Sequence, residues 1–400
     1  MGKRAWTIII CGALILAIGM GMRQNHGLFI EPMRMELGWQ LGVFALALAI
    51  QNLMWGVAQP FAGALADKYG SRPVLLVGVF VYVLGLVGMA FPQGPMMLHM
   101  SAGVLVGIGV AAMGLPVVLG AVARMVSEEK RSTALGIASM GGSFGQFLFA
   151  PVSQGLINEY GWSIALATLA AIAALGVFLA LQVNSKPGEE EHHPSQINQT
   201  MGQALHEAFG TNSYILLNLG FFVCGFHIAF IVTHLPMFLS TCNIAPEVGA
   251  TALAVIGLSN MAGTYIAGVL GGKYSKKYLL SIIYLSRAAA ILIYTLMPIT
   301  VFSTLAFAVA MGALWLSTVP LTSGLVGVMF GTRYMGTLFA ITLFTHQIGA
   351  FFGAWLGGYF YDLTGSFDGA WYVSIALGVF SAVVHLPIKE MAVKRETKTA

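Results

Sequence analysis

Two arginines lie within long apolar stretches of this sequence, and no acidic residue accompanies either of them. Arg23 begins the run Arg-Gln-Asn-His-Gly-Leu-Phe, and Arg287 lies in a later stretch, whereas all fifteen Asp and Glu residues fall outside the stretch cores. Burying an arginine in hydrocarbon costs at least about 2.5 kcal/mol, so each arginine needs a partner or a wet cavity. Arg23 therefore predicts a site for an anionic ligand, with extension of the side chain to lipid headgroups as the alternative. For Arg287, a structural role at a helix contact or a lipid interface is favoured.

Histidines in the same stretches supply groups that titrate near neutral pH. His26 follows Arg23 by three residues and so shares its helical face. His227 and His234 share one face of a later stretch, and His346 lies among small residues. We expect His26, His227 and His346 to contact the ligand, and His227, His234 and His346 to carry any coupled proton. Hydrogen bonds to neighbouring helices are the structural alternative for these side chains.

Uncharged polar residues recur at helical spacing on three stretches. We expect Gln146 and Asn260 to bind the ligand from two of these stripes, although such side chains can also hold helices together. The members of the three stripes are Asn52, Trp55 and Gln59; Ser139, Ser143 and Gln146; and Asn260 and Thr264.

The composition identifies the solvent in which these residues lie. Hydrophobic residues make up 58% of the 400 residues and charged residues only 8%, against roughly 25% charged in an ordinary globular protein. A soluble enzyme, a nucleic-acid-binding protein and a secreted disulfide scaffold are therefore excluded. Apolar runs near the 20-residue length of a membrane span predict an all-α polytopic membrane protein with twelve transmembrane helices. They fall near 6–30, 43–66, 73–92, 96–123, 133–158, 162–183, 213–240, 249–272, 278–297, 301–327, 335–361 and 367–388.

The basic residues orient these spans. With both termini in the cytoplasm, every Lys and Arg except Arg23, Arg34 and Arg287 falls in a cytoplasmic segment, as the positive-inside rule predicts for an inner or plasma membrane. A polar segment over 184–212 separates two six-helix bundles, 1–183 and 213–400. Its His192-His193 pair follows three acidic residues and fits a solvated linker better than a metal site.

The two bundles are related by an internal repeat. Shifting the sequence by 204 or 205 positions aligns six spans of the first half with six of the second, and it superimposes Arg23 on His227. Because each repeat has an even number of spans, the two run parallel and are related by an axis along the membrane normal. We therefore expect Arg23 and His227 to face each other across a central cavity, with an anion between them.

The loop between the second and third spans carries a family motif. The run from Gly63 to Arg72, Gly-Ala-Leu-Ala-Asp-Lys-Tyr-Gly-Ser-Arg, resembles the loop signature of the major facilitator superfamily. The resemblance implies the major facilitator fold, with two pseudo-symmetric six-helix bundles and a gating loop formed by Gly63, Asp67, Gly70, Arg72 and a nearby Arg124. In that family, the carboxylate faces a helix N-terminus of the other half, where a negative charge is stabilised by the helix dipole.

Within that superfamily, the sequence is most similar to the monocarboxylate transporters. The similarity covers most of the first half and includes the segment from Arg23 to Phe29, the run from Lys68 to Arg72, and the start of the fifth span. It implies proton-linked transport of small monocarboxylates such as lactate or pyruvate. That branch has an acid and an arginine one turn apart in the eighth span, where this sequence has Asn260 and Thr264. Arg23 would then have to anchor the anion.

These observations predict a secondary transporter that moves a small organic anion by alternating access, through proton symport or anion exchange. We expect a monomer in the lipid bilayer, with a small anionic substrate and, in symport, protons as its partners. We expect no enzyme activity, cofactor, metal or nucleic-acid partner. The alternatives are an exporter of neutral or amphipathic compounds and a membrane sensor or scaffold that does not transport.

Overall fold

The computed structural model describes residues 2–126, 128–183, 199–331 and 334–393, and these residues form helices and connecting turns without strands. Eleven helical segments are long and apolar enough to cross a membrane. One of them, Ala134–Gln182, contains both the fifth and the sixth predicted spans. The two spans separate at Gly161, whose φ of 79° lies in the left-handed region that favours glycine. Twelve predicted spans therefore correspond to eleven continuous segments.

The described residues of the N-terminal half form nine α-helices, a 3-10 turn and two π-helical segments. The π-helical segments are Ala17–Gly21 and His99–Leu105, and the 3-10 turn is His26–Phe29. The α-helices are α1 (Lys3–Leu16), α2 (Ile30–Leu37), α3 (Leu41–Tyr69), α4 (Ser71–Ala90), α5 (Pro95–Leu98), α6 (Val106–Ala112), α7 (Leu115–Ala123), α8 (Glu128–Ala174) and α9 (Gly176–Gln182).

The C-terminal half is more regular. Its helices are α10 (Met201–Phe209), α11 (Asn212–Thr241), α12 (Pro246–Gly271), α13 (Lys276–Leu296), α14 (Val301–Leu314), α15 (Thr318–Phe330), α16 (Met335–Thr364) and α17 (Asp368–His385). The segment predicted as a linker includes helix α10, which begins at a capping box formed by Thr200 and Gln203. His192, His193 and Arg333 lie outside the described residues.

Polar contacts join the two halves at the membrane face opposite the termini. At this face, the Asp362 carboxylate at the end of α16 accepts hydrogen bonds from the backbone N–H groups of Leu41 (3.1 Å) and Gly42 (2.6 Å) at the start of α3. Asn158 of α8 donates to Glu247 of α12 at 2.7 Å. Both contacts cross from one half to the other, so this face is closed.

The halves diverge toward the face that carries the termini. There α7 and α9 pack against helices of the N-terminal half, and α15 packs against helices of the C-terminal half. None of these three described helices packs closely against the opposite half. The molecule is therefore open toward the face of the termini.

The C-terminal tail is held against the start of α13 by one carboxylate. Glu390 accepts hydrogen bonds from the Ser275 hydroxyl at 2.7 Å and from the backbone N–H and side-chain Nζ of Lys276, each at 3.2 Å. Burial acts to raise the pKa of Glu390, but these hydrogen bonds and the lysine charge outweigh it and hold the pKa below its usual value.

Candidate functional site

The first span loses its regular helical backbone around Arg23. A π-helical segment, Ala17–Gly21, precedes this residue, and a 3-10 turn, His26–Phe29, comes after it. Asn25 covers one of the freed backbone groups, because its Nδ2 donates to the carbonyl of Gly21 at 3.0 Å. Irregular backbone inside a membrane is tolerated where it is buried in protein or lines a cavity, and π-helical segments are frequent at functional sites.

Arg23 itself is buried, with 9% of its surface exposed. Its Nη1 donates to Oδ1 of Asn52 at 2.9 Å, and its guanidinium carbon lies 4.5 Å from the ring centroid of Trp55. Its Nε has no hydrogen-bond partner. Both contacts are with α3, and neither supplies a negative charge. The guanidinium is thus oriented by an amide and an aromatic ring, and it keeps its positive charge uncompensated by any described carboxylate.

A small cavity adjoins this guanidinium and is lined from both halves. A Cβ on Gly27 would overlap the carbonyl oxygen of Val232, so glycine allows the first span and α11 to approach closely here. The lining residues are Arg23, Gly27, Leu48, Gln51, Asn52, Val232 and Thr233. Arg23 is the only charged residue among them.

His26 lies beside this cavity and is bonded to one of its lining residues. Its Nδ1 is 3.2 Å from Nε2 of Gln51, and the same Nε2 donates to the carbonyl of Ala102 at 2.6 Å. The His26 ring is 1% exposed, and its Nε2 has no hydrogen-bond partner. His26 also lines a second, apolar cavity between the first, second, third and fourth spans.

Gln146 and Asn260 both lie where the halves meet. Gln146 is fully buried with neither side-chain amide atom bonded, and its backbone carbonyl accepts from Asn25 at 3.4 Å. Asn260 donates to the Ser143 hydroxyl of the other half at 2.8 Å, and its Oδ1 accepts from the backbone N–H of Leu316 at 2.9 Å. Gln146 therefore has free hydrogen-bonding capacity near the first span, whereas Asn260 joins the halves.

The structure does not bring His227 to the cavity at Arg23. His227 is fully buried, and its Nε2 lies 2.8 Å from the Ser374 carbonyl of α17. His234 lies 2.7 Å from the Ala354 carbonyl of α16 in the same way. The repeat aligned Arg23 with His227 in sequence, but of these two described spans only the first contains a π-helical segment. One extra residue in a turn rotates the next part of the helix by about 100°, so aligned positions point in different directions.

His346 and Arg287 lie inside the C-terminal half. The ring of His346 packs 5.0 Å from that of Phe221. Arg287 donates from Nε to the Leu314 carbonyl at 3.2 Å and from Nη2 to the carbonyls of Leu314 and Trp315. Leu314 is the last residue of α14, and Trp315 begins the turn that leads to α15 at Thr318. Arg287 therefore caps the broken tenth span, in agreement with the structural role favoured from the sequence.

The residues of the loop motif lie together at the face of the termini. Arg124 forms a salt bridge with Asp67 at 3.0 Å and donates to the Ser71 hydroxyl at 2.9 Å. Arg72 donates to the Leu181 carbonyl at 2.6 Å. Gly70, between α3 and α4, has a φ of 88°. Gly63 faces Pro116, which would be the nearest residue to a Cβ at this position. All of these contacts are within the N-terminal half.

Three polar residues, two at the cavity and one in the contact between α3 and α16, did not emerge as site residues from the sequence. Gln51 and Thr233 line the cavity at Arg23. Gln347 is 2% exposed, its Oε1 has no partner, and its Cβ lies where a side chain on Gly56 would be. Each of the three lies in an apolar run, beside a more conspicuous polar residue and without a distinctive spacing of its own. For Gln51, the helical spacing to Trp55 was an available signal.

The sequence model of the Major Facilitator Superfamily matches residues 9–354 of this chain. The chain belongs to the major facilitator superfamily. Members of this superfamily are transporters, and this agrees with the expectation that the chain is not an enzyme.

Among curated proteins, this superfamily member is similar to several monocarboxylate transporters. It is 25% identical to monocarboxylate transporter 13 of Rattus norvegicus over 93% of this chain and 86% of the relative. It is 25% identical to human monocarboxylate transporter 11 over 96% and 83% of the two chains. It is also 24% identical to the uncharacterised MFS-type transporter YcxA of Bacillus subtilis over 99% and 98%.

Solved structures of this superfamily have the same fold. A bacterial homologue of the human lysosomal transporter Spinster, in an inward-facing and occupied conformation, superimposes with a TM-score of 0.80 at 13% identity, over 96% of this chain and 97% of that one. A D-xylose-proton symporter superimposes with a TM-score of 0.77 at 17% identity, over 97% and 99%. The predicted all-α fold with major facilitator architecture is confirmed.

Proposed function

We propose that this transporter moves a small organic anion with a single carboxylate, such as lactate or pyruvate, by alternating access. The observation that carries the proposal is the buried guanidinium of Arg23, which is bonded to Asn52, packed on Trp55 and unpaired with any described acid. A cation that remains uncompensated in a membrane is costly. A bound carboxylate would remove that cost, and Arg is well suited to bind it through two parallel hydrogen bonds.

The lining of the cavity supports a monoanion over a dianion. Arg23 is the only charged residue among the cavity-lining residues, and the remaining polar groups are the side chains of Gln51, Asn52 and Thr233. A second carboxylate on the substrate would lose its hydration without gaining a countercharge. The similarity to monocarboxylate transporters supports the same class.

The position of the cavity supports alternating access. Arg23 lies in the first span, whereas Val232 and Thr233 belong to α11 of the other half. An anion held here would contact both halves, which can separate at one face while they close at the other. The distribution of basic residues supports an inner or plasma membrane location, with the open face and both termini in the cytoplasm.

A thermal-stability screen of the purified chain tests the site. The panel contains lactate, pyruvate, succinate, a neutral sugar and an amphipathic cation. A ligand at 100 times its dissociation constant adds about 2.7 kcal/mol of stability, so we expect lactate or pyruvate to raise the melting temperature. Arg23→Gln should abolish this shift. Arg34→Gln is the matched control, because Arg34 is paired with Glu31 at 3.0 Å. A shift caused only by the sugar or the cation would instead support an exporter of neutral or amphipathic compounds.

A further inference from the structure

We propose that His26 is the proton-binding site of this transporter, and that Gln51 couples its protonation to the anion at Arg23. This inference rests on the proposed function, because it requires an anion at Arg23. It differs from the expectation from the sequence, which gave the proton to His227, His234 or His346. The Nε2 atoms of His227 and His234 each lie within hydrogen-bond distance of a backbone carbonyl, and none of the three histidines lines the cavity at Arg23.

The hydrogen bonds of Gln51 fix the protonation state of His26 in the empty site. The Nε2 of Gln51 lies 2.6 Å from the Ala102 carbonyl, which can only accept, so this atom is the amide nitrogen. Because it also lies 3.2 Å from Nδ1 of His26, that ring nitrogen must be the acceptor. A neutral imidazole whose Nδ1 accepts carries its proton on Nε2. Gln51 therefore holds His26 neutral while the anion site is empty.

Gln51 also lines the anion cavity, so one amide serves two sites. A carboxylate bound to Arg23 offers a charged acceptor to the Gln51 amide, and a hydrogen bond to a charged acceptor is stronger than one to a neutral acceptor. When the amide turns to the carboxylate, Nδ1 of His26 loses its donor and becomes free to bind a proton. If the Gln51 amide stayed in place while Nδ1 of His26 bound a proton, the amide N–H and the ring N–H would point at each other.

The charges around His26 also favour a neutral ring while the anion site is empty. The His26 ring is buried, which disfavours a cation on it, and the positive charge of Arg23 three residues away disfavours it further. The other titratable groups nearby are Tyr82, which lies near Arg23, and His99, which is bonded to the Val43 carbonyl. No described carboxylate lines either cavity that adjoins His26. A bound anion would therefore supply the countercharge that offsets the repulsion by Arg23.

This arrangement predicts obligatory coupling with one proton per anion. The empty site carries the single positive charge of Arg23. The loaded site carries Arg23, one anion and one proton, and it has the same net charge. Because linkage is reciprocal, the anion must bind more tightly at low pH by the factor by which it promotes proton binding. Transport of the pair is then electroneutral.

Lactate binding to the purified full-length chain, measured by calorimetry in two buffers of different ionisation enthalpy, tests the proposal. We expect the parent protein to take up about one proton per lactate near neutral pH, with a Kd that rises about tenfold per pH unit. His26→Gln and His26→Asn should bind lactate with no proton uptake and with a Kd independent of pH. His99→Gln is the matched control, because it removes a neighbouring histidine and should retain the proton uptake.

Three results would overturn the assignment while leaving the proposed function intact. These are lactate binding by the parent protein without proton uptake, proton uptake that persists in the His26 variants, and loss of lactate binding in both of them. The last would place His26 among the direct ligands of the anion. If the folded parent protein binds no monocarboxylate at all, the proposed function itself fails, and the proton site fails with it.

Discussion

At the scale of single residues, the two membrane arginines separate into two roles. Both were identified from the sequence because a charge in an apolar run is conspicuous. The structure shows Arg23 bonded to a side-chain amide beside a cavity, and Arg287 bonded to backbone carbonyls in a packed core. The partners of Arg23 could be predicted only in part. Gln51 and Thr233 are ordinary polar residues in apolar runs. Whether their side chains line the cavity depends on the rotation of each helix about its axis, which the sequence does not determine.

Removal of Arg287 should reduce stability and leave the anion site intact. Arg287→Gln would remove the arginine donors from the Leu314 and Trp315 carbonyls, and an unsatisfied buried group costs about 1–3 kcal/mol. We expect a melting temperature several degrees lower, a smaller loss in Arg287→Lys, and a lactate Kd within threefold of the parent value. Calorimetry and thermal unfolding of the same preparations measure both quantities. Loss of lactate binding without loss of stability would show that Arg287 is a ligand.

At the scale of helices, the number and order of the spans could be predicted, but their breaks could not. Hydropathy identifies the apolar segments that are long enough to span a bilayer, and this determines the number of transmembrane spans. The π-helical segment Ala17–Gly21 contains no proline, and its five residues are compatible with a regular helix. A Cβ on Gly21 would overlap the backbone of Gly145, but the aligned Gly225 of α11 lies equally close to the α16 backbone within a regular helix, so this packing alone does not predict the π-helical segment. The segment itself rotates the part of the first span that contains Arg23 relative to the aligned part of α11.

The contact between Asp362 and α3 should hold the face opposite the termini closed. A carboxylate at a helix N-terminus is stabilised by the helix dipole and by the free N–H groups there. Asp362→Asn keeps the shape and removes the charge, so we expect a larger population with this face open. Electron–electron distance measurements between spin labels at Gln93→Cys and Asn243→Cys, in a chain without its native cysteines, report the opening. An unchanged distance distribution would show that the carboxylate does not control closure.

At the scale of the whole molecule, the internal repeat and the central site belong together. Two parallel six-span repeats were predicted from one alignment register, and the superfamily match and the solved structures confirm the fold that such repeats build. The sequence could not predict which face is closed, because both states of a transporter bury the same helices. The structure closes the face of Asp362 and Glu247 and opens toward the termini, which leaves the Arg23 cavity between the two halves.

Lactate counterflow in proteoliposomes tests the central claim most directly. Vesicles that contain the purified chain and unlabelled lactate are placed in trace labelled lactate, and accumulation of label is measured. We predict rapid accumulation for the parent chain and for Arg34→Gln, and a loss of about 100-fold for Arg23→Gln, because truncating one partner of a buried charge pair costs about 2–5 kcal/mol. Accumulation at the parent rate in a folded Arg23→Gln protein would contradict the account.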